Sequence, residues 1–144
     1  MLVKVIDNID DLLLFKEQWV NLFNEGDYTV FQSFDFCYNS VLGAEICIIC
    51  LFESDKLVEL WPLEIIANKL RFINDTHADF CDILSSSNSR NVISFLKEEK
   101  SLGKLSFRNL KQDALVLKKV DDILFFDLSQ SINYSILSLA FTDV

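Results

Sequence analysis

Glycine is scarce in this sequence, which has three glycines among 144 residues: Gly26, Gly43 and Gly103. A loop that wraps a phosphate group must bring its backbone close to the ligand and bend sharply, which usually requires clustered glycines. The wide separation of these three residues therefore excludes a P-loop and a dinucleotide-binding turn. Histidine is scarcer still, because His77 stands alone and no nucleophile-elbow pattern accompanies it. A Ser–His–Asp or Cys–His hydrolase is accordingly disfavoured.

Positive charge and long apolar runs are also limited. The net charge is −9, so the surface should repel a phosphate backbone, and we expect no nucleic-acid partner. The longest uninterrupted apolar stretch, Ile46–Phe52, is far shorter than the ~20 residues of a membrane-spanning helix. No basic region followed by a long apolar region opens the sequence. We therefore expect a cytoplasmic protein without a membrane partner.

Apolar residues are plentiful, at 51% of the sequence, and thirteen of them are phenylalanine. Such a composition excludes intrinsic disorder, which requires low hydrophobicity. A chain of 144 residues is long enough to bury a core of its own. We interpret residues 1–144 as a single domain.

Hydrophobic periodicity predicts an α/β fold in which helices cover a mixed, mostly antiparallel sheet of about five to seven strands. Six strands are predicted, at Leu2–Ile6, Glu45–Glu53, Lys56–Ala67, Leu70–Ile73, Lys104–Leu110 and Ile123–Leu128, and Phe80–Leu84 and Ala114–Leu117 are further candidates. The predicted helices are a first one that ends at Gly26, then Ser33–Leu42, Val92–Lys100 and Ile132–Phe141. The polar run Ser85–Ser89 is interpreted as the start of the third helix rather than as a linker.

Several residues predict local backbone features. Asp7 or Asn8 should cap the first helix, and Gly26 should end it in the left-handed conformation. Ser54-Asp55 is typical of a hairpin turn. Pro62 lies inside a predicted strand and cannot donate to the ladder, so a bulge or a sheet edge is expected there.

The four cysteines offer no metal or redox site. Cys47 and Cys50 have the spacing of a redox or zinc pair, but they lie within a predicted strand. Side chains three residues apart on a strand point to opposite faces, so the two sulfurs should diverge. Together with Cys37 and Cys81, they are expected to be buried and reduced.

One loop collects residues that could bind a cation. Asp75, His77 and Asp79 would share a face if this segment were extended, and their oxygen atoms would suit a hard cation. The alternative is a polar loop in which the Asp residues hold turns and His77 is solvated. We favour this alternative and predict no metal site, because no further His or Glu cluster supports one.

Five stretches, taken in order, form a recognisable series. A Trp-bearing helix precedes a Phe-Gln-Ser turn, a hairpin strand contains Pro-Leu, and a further strand leads to an Asp-aromatic-x-Asp segment. The stretches are Trp19–Leu22, Phe31–Phe36, Leu57–Glu64, Leu70–Ile73 and Asp79–Leu84. This series resembles the first lobe of the CelD-like and FemAB-like branch of the GNAT acyltransferase superfamily.

The resemblance implies a tandem protein with two GNAT-like lobes, of which this chain is the N-terminal one. In that branch the acyl-CoA or aminoacyl-tRNA site and the catalytic residues belong mainly to the second lobe, and the chain stops at Val144, about where that lobe would begin. The pyrophosphate-binding pattern of the superfamily has no match here. We therefore expect no catalytic residue and no cofactor in this chain, with acetyl-CoA or another acyl donor bound only if a second lobe is supplied.

The first lobe of such proteins shapes one wall of the acceptor groove. Carried over to this sequence, that role implies Phe36, Tyr38, Trp61 and Asp79 as groove candidates, with packing or turn formation as the alternative. Two positions depart from the family pattern. Phe36 stands where the family often has Trp, and Glu59 stands near the glycine that usually precedes the Pro-Leu strand.

The predicted last helix suggests an interface. Its apolar face would have no second lobe to cover it, and exposed apolar patches commonly mark interfaces. The face comprises Ile132, Ile136, Leu139 and Ala140. We therefore expect a homodimer or a partner lobe. The remaining alternatives are an assembly module and a small intact acetyltransferase with an atypical cofactor loop.

Overall fold

The computed structural model describes residues 1–41, 43, 45–99, 104–120, 124–131 and 134–140, the last two ranges by their backbone alone. The strands are β1 (Leu2–Ile6), β2 (Ile46–Glu53), β3 (Lys56–Ile66), β4 (Lys69–Phe72), β5 (Leu84–Ser85), β6 (Lys104–Leu110), β7 (Leu124–Ser131) and β8 (Tyr134–Ala140). The helices are α1 (Ile9–Leu14), α2 (Lys16–Asn24), α3 (Phe34–Ser40), α4 (Asn91–Glu98) and α5 (Leu115–Lys119), and a 3₁₀ turn spans Val30–Gln32.

One mixed sheet organises these elements. Its strand order is β1-β2-β3-β4-β6-β8-β7, and the short β5 pairs with β3 beside this path. The β4/β6 pair is parallel and the other pairs are antiparallel. The mixed, mostly antiparallel α/β architecture predicted from periodicity is thereby confirmed.

Helices cover both faces of the sheet. Residues of α1, α2 and α3 pack on one face, and residues of α4 and α5 pack on the other. Strand β2, which lies between β1 and β3, is buried over all but its last residue, which explains its continuous apolar sequence. Cys47 belongs to the core on the α4 side and Cys50 to the core on the α1–α3 side, so the predicted divergence of the two thiols is confirmed.

The N-terminal helical region differs from the prediction in two details. Asn8 caps it as expected, accepting a hydrogen bond from the Asp11 N–H at 2.9 Å, but the helix breaks at Phe15, which separates α1 from α2. Gly26 follows the end of α2 without adopting a positive φ, so the predicted left-handed cap is wrong. Glycine fits there because a Cβ atom would collide with the ring of Tyr28.

The hairpin between β2 and β3 has the predicted turn and one of the two features predicted at Pro62. Ser54 and Asp55 form its turn, with φ values of 50° and 64°. The register shift lies at Leu51/Phe52 rather than at Pro62, which pairs with Ile48 inside the sheet. The bulge is therefore not at Pro62, but the alternative, a local edge, is found there: β3 pairs with β4 from Leu63 onwards and with β5 up to Leu60, so no strand pairs with Pro62 on that side and no ladder hydrogen bond requires a donor.

Two predictions near the C-terminus are wrong. Leu115–Lys119 forms helix α5 where a weak strand was predicted, and Tyr134–Ala140 forms strand β8 where a helix was predicted. A short apolar stretch fits the period of a helix as well as that of a strand. Here the residues of β8 pair with both β6 and β7, and this tertiary pairing selects the strand. Ile136 and Leu139 therefore belong to a strand and not to a helix, and Ile132 lies outside the described residues.

No helix in the described part of the chain is long and apolar enough to cross a membrane.

Candidate functional site

The parallel strands β4 and β6 separate soon after they meet. They pair at Lys69↔Lys104 and Leu70↔Leu105 and at no further described position. In open α/β sheets, a gap at the carboxyl ends of diverging parallel strands is a common ligand site. Here the chain itself fills the gap. It leaves the sheet after Phe72, and residues 74–83 lie against β6 before the chain returns to β3 at Leu84.

Hydrogen bonds hold this inserted segment, residues 74–83, against β6. The Asn109 side-chain amide donates to the carbonyl groups of Asp75 and Ala78, at 2.9 and 3.1 Å. The Cys81 N–H donates to the carbonyl of Asn109 at 2.9 Å. Asn109 has a φ of 57°, in the left-handed region that Asn tolerates better than most residues. Ala78, Cys81 and Ile83 are buried, so one side of the segment belongs to the core, whereas Thr76, His77 and Asp79 are exposed.

The three residues considered for a cation site have separate surroundings in this segment. Asp75 is 2% exposed and receives two hydrogen bonds from the Arg71 guanidinium, both 2.9 Å long. The Arg108 guanidinium lies 3.4 Å from the same carboxylate. His77 and Asp79 are exposed, and the His77 ring contacts Asn74 Oδ1 at 2.7 Å. Within the described ranges, no group of three His, Cys, Asp or Glu residues could hold a metal ion.

A cleft of about 440 Å³ opens beside the inserted segment. Its walls are the connection after α2 from Gly26 to Gln32, the stretch from Phe80 to Ser85, and the region from Lys111 to Lys118 that leads into α5. The lining combines carboxylates, lysines and a tyrosine. It is the candidate functional site because it joins three elements at the carboxyl end of β6.

Two polar side chains that line this cleft, Asp82 and Tyr28, are bonded to backbone groups of the protein. Asp82 accepts hydrogen bonds from the N–H groups of Leu115 and Val116, at 2.9 and 3.0 Å, and so caps α5. Burial raises the pKa of Asp82, and its backbone hydrogen bonds oppose that shift. The Tyr28 hydroxyl accepts from the Ser85 N–H at 3.0 Å and donates to the Ser85 carbonyl at 3.1 Å. Burial also raises the pKa of Tyr28.

Residues 85–90, here called the serine loop, lead into α4, as the sequence predicted. Its hydroxyl groups accept from backbone N–H groups two residues ahead: Ser85 from Ser87, Ser87 from Ser89, and Ser89 from Asn91. Its Ser87 and Ser89 carbonyls accept from the Lys119 ammonium, each at 2.7 Å. These backbone amides already have partners, so they do not form an open anion-binding nest.

The four groove candidates occupy separate places. Phe36 and Tyr38 lie on α3, where Phe36 packs against the ring of Phe31 and Tyr38 stacks on Phe34. Trp61 is fully buried, and its indole N–H donates to Glu59 at 2.8 Å. Asp79 is exposed in the inserted segment. None of the four lines the cleft beside that segment, and their acceptor role stays a prediction.

Sequence reasoning assigned no functional or structural role to Tyr28, Glu59 or Lys119. Glu59 carried a usable signal, because it interrupts the apolar stretch from Leu57 to Leu63 and a buried carboxylate requires a partner. The partner, Lys119, lies 60 positions further along the sequence, so no local pattern connects the two. Nothing in the sequence around Tyr28 indicates its bonds to Ser85.

Comparisons with known proteins establish the fold and no more. No protein-family model matches the sequence, and no curated protein matches it significantly. Among solved structures, the fold is similar to the PaiA N-acetyltransferase from Thermoplasma acidophilum, whose crystal structure is a complex with coenzyme A. The TM-score is 0.51 at 13% sequence identity, and the match covers 97% of this chain and 100% of that one. This similarity supports the fold class expected from the sequence, at the level of the fold alone.

Proposed function

We propose that this domain is an acyltransferase-like lobe of the CelD-like and FemAB-like branch that binds no acyl donor in its own fold. Its role is to form one wall of an acceptor site, and a second lobe supplies the acyl donor. The observation that carries this proposal is the occupation of the β4/β6 gap by residues 74–83.

Two structural costs oppose the entry of a cofactor. Displacing the inserted segment would expose Ala78, Cys81 and Ile83 and break its bonds to Asn109. Turning the serine loop towards a phosphate would leave the Lys119 ammonium without the carbonyls of Ser87 and Ser89. Buried polar groups that lose their partners carry a large desolvation cost.

Calorimetric titration of the chain with acetyl-CoA, and separately with CoA, tests this proposal. We expect no saturable heat and no release of free CoA thiol in the presence of amine acceptors. Micromolar binding of either compound, or acceptor-dependent thiol release, would overturn it. Addition of a separately expressed second lobe should then produce acyl-donor binding that neither lobe shows alone.

A second candidate function is that of an intact acetyltransferase. The observation that favours it is the match over the whole length of an N-acetyltransferase solved with coenzyme A. In that case the cleft beside residues 74–83 would hold the reacting groups, and Tyr28 would be the first residue to test. Turnover should then fall in Tyr28→Phe and persist in Tyr38→Phe, whose hydroxyl lies outside the cleft. Thermal melting of both variants separates lost activity from lost folding.

Self-association is the remaining part of the proposal. A lobe that acts with a partner should form a homodimer or a complex with a second lobe. Sedimentation equilibrium over a range of concentrations measures this directly, and a single-chain mass throughout would contradict the homodimer.

A further inference from the structure

We propose that the outer edge of β5 binds an extended peptide, which enters the cleft beside residues 74–83 and pairs its backbone with Ser85. The Tyr28 hydroxyl occupies this place in the structure and would be displaced by the peptide. The inference names a ligand class for the cleft and holds whether or not acyl transfer follows.

The two edges of β5 have different partners. Leu84 pairs with Leu60 of β3, and the Ser86 N–H donates to the Val58 carbonyl at 2.9 Å. Backbone groups of successive residues in a strand point to opposite edges, so the N–H and carbonyl of Ser85 point away from β3. No other strand that the structure describes pairs with β5. The edge that carries the two Ser85 groups is therefore open to the cleft, which Ser85 lines.

Side chains satisfy this edge where a neighbouring strand would otherwise do so. The Ile83 N–H donates to Asp82 Oδ1 at 2.8 Å, and the Ser87 N–H donates to Ser85 Oγ at 3.2 Å. Between them, the N–H and the carbonyl of Ser85 both bond to the hydroxyl oxygen of Tyr28. Asp82 and Ser85 belong to the edge itself, whereas Tyr28 reaches it from the connection after α2, so Tyr28 can withdraw without rearranging the edge.

One hydroxyl is a poor substitute for a strand residue. The Tyr28 hydroxyl donates to the Ser85 carbonyl at 3.1 Å, longer than the roughly 2.8 Å that is typical of such bonds. The same oxygen must also accept from the Ser85 N–H, at 3.0 Å. A peptide residue in an antiparallel pair offers a carbonyl and an N–H as two separate atoms. The geometry of these two groups therefore selects a peptide backbone as the better partner.

The position of Tyr28 makes its withdrawal inexpensive. Gly26 and Asp27, which precede it, are exposed, and Tyr28 itself is half-buried. Its ring packs against that of Phe23 with the centroids 5.9 Å apart, and Phe23 is also half-buried. Withdrawal of the tyrosine would therefore uncover little of the core.

The cleft beyond this edge favours recognition of the main chain over recognition of charge. Its lining includes side chains of both signs, Asp27 and Asp113 with Lys111 and Lys118. Such a mixture does not select an acidic or a basic ligand. Strand addition takes its affinity from main-chain hydrogen bonds, so we expect a neutral peptide to bind and its affinity to vary little with salt.

Fluorescence anisotropy with a designed peptide tests the proposal on the full chain. The probe is a labelled, neutral Ser-Val-Thr-Ala-Thr-Val-Ser peptide. The control peptide has the same sequence with N-methyl groups on alternate residues, which remove the donors from one edge. We expect saturable binding of the probe and at least about tenfold weaker binding of the methylated control. Pantetheine, which carries amide groups without being a strand, should not displace the probe.

Replacement of the competing hydroxyl gives the sharper test. Tyr28→Phe leaves both Ser85 groups without a partner until a peptide supplies one, so it should bind the probe about fivefold more tightly than the parent. Its melting temperature should lie below that of the parent and recover when the probe is added. The matched control Tyr38→Phe, whose hydroxyl lies outside the cleft, should keep the parent affinity.

Four results would overturn the proposal. These are the absence of saturable probe binding to both the parent and Tyr28→Phe, equal binding of the methylated peptide, unchanged or weaker binding by Tyr28→Phe, and displacement of the probe by pantetheine. Direct binding of acetyl-CoA without displacement of the probe would instead contradict the proposed function and leave this inference standing.

Discussion

The Lys119 ammonium lies 2.9 Å from Oε1 of Glu59, and both side chains are withdrawn from solvent. Glu59 also accepts hydrogen bonds from the Trp61 indole and the Ser85 hydroxyl, at 2.8 and 2.7 Å. One buried ion pair thus joins β3, the serine loop and α5. Its two charges are compensated by each other, so the loss of either one leaves the other uncompensated in the core.

Removal of the lysine should therefore be costly. We expect Lys119→Met to lower the free energy of unfolding by about 3–5 kcal/mol, because Glu59 would keep a buried charge. The double variant Glu59→Gln with Lys119→Met should recover part of this loss. Urea denaturation measures all three proteins. Lys118→Met, an exposed neighbour on the same helix, should stay within about 0.5 kcal/mol of the parent. Equal costs at positions 118 and 119 would contradict this account of the pair.

The pairing of Asp75 with Arg71 predicts a structural role for this carboxylate. Asp75→Asn should cost about 1–3 kcal/mol, since the amide cannot accept both guanidinium hydrogen bonds as a carboxylate does. The exposed Asp79→Asn should have little effect. Calcium or magnesium should not raise the melting temperature of the parent protein, because the Asp75 carboxylate is already occupied by arginine. A cation-dependent rise that Asp75→Asn abolishes would instead indicate a metal site.

The raised pKa of the Glu64 carboxyl group predicts that its replacement by Gln will stabilise the protein in a pH-dependent way. Burial raises the pKa of its carboxyl group, and the hydrogen bond from the Asn74 N–H at 3.3 Å opposes the shift. The contribution of Glu64 to stability is therefore complete below the unfolded-state pKa and is lost as pH rises through the folded-state pKa. Glu64→Gln keeps an oxygen for Asn74 without the charge. It should stabilise the protein at neutral pH, with a gain that shrinks towards about pH 4, where carboxyl groups ordinarily titrate.

Denaturation at a series of pH values checks this sign. The control is Glu53→Gln at an exposed carboxylate, whose effect should vary little with pH. A gain from Glu64→Gln that grows on acidification would contradict the assigned direction.

The cysteines should be unreactive while the protein is folded. Burial raises the pKa of Cys47 to about 11 and those of Cys50 and Cys81 to about 12, and it also raises the pKa of Cys37. Because the thiolate is the reactive form, Ellman's reagent at about pH 8 should modify none of the four at a rate faster than unfolding. In denaturant all four should react promptly. A fast-reacting thiol in the native protein would show that one of these positions opens locally.

Local signals in the sequence correctly predicted the features that depend on neighbouring residues. The Asn8 cap, the turn at Ser54 and Asp55, and the opposite orientation of Cys47 and Cys50 each follow from a few adjacent positions. The error at β8 has the opposite origin. A short apolar stretch fits both a helix and a strand, and pairing with β6 and β7 decides between them.

The sequence by itself determined an α/β fold with buried thiols and without a glycine-rich phosphate loop, because composition, periodicity and turn residues act over short distances. Only the tertiary structure decided that residues 74–83 fill the β4/β6 gap and that Lys119 neutralises Glu59. The physical reason is that both depend on groups far apart in the chain, which meet only when the sheet has formed and has excluded water from between them.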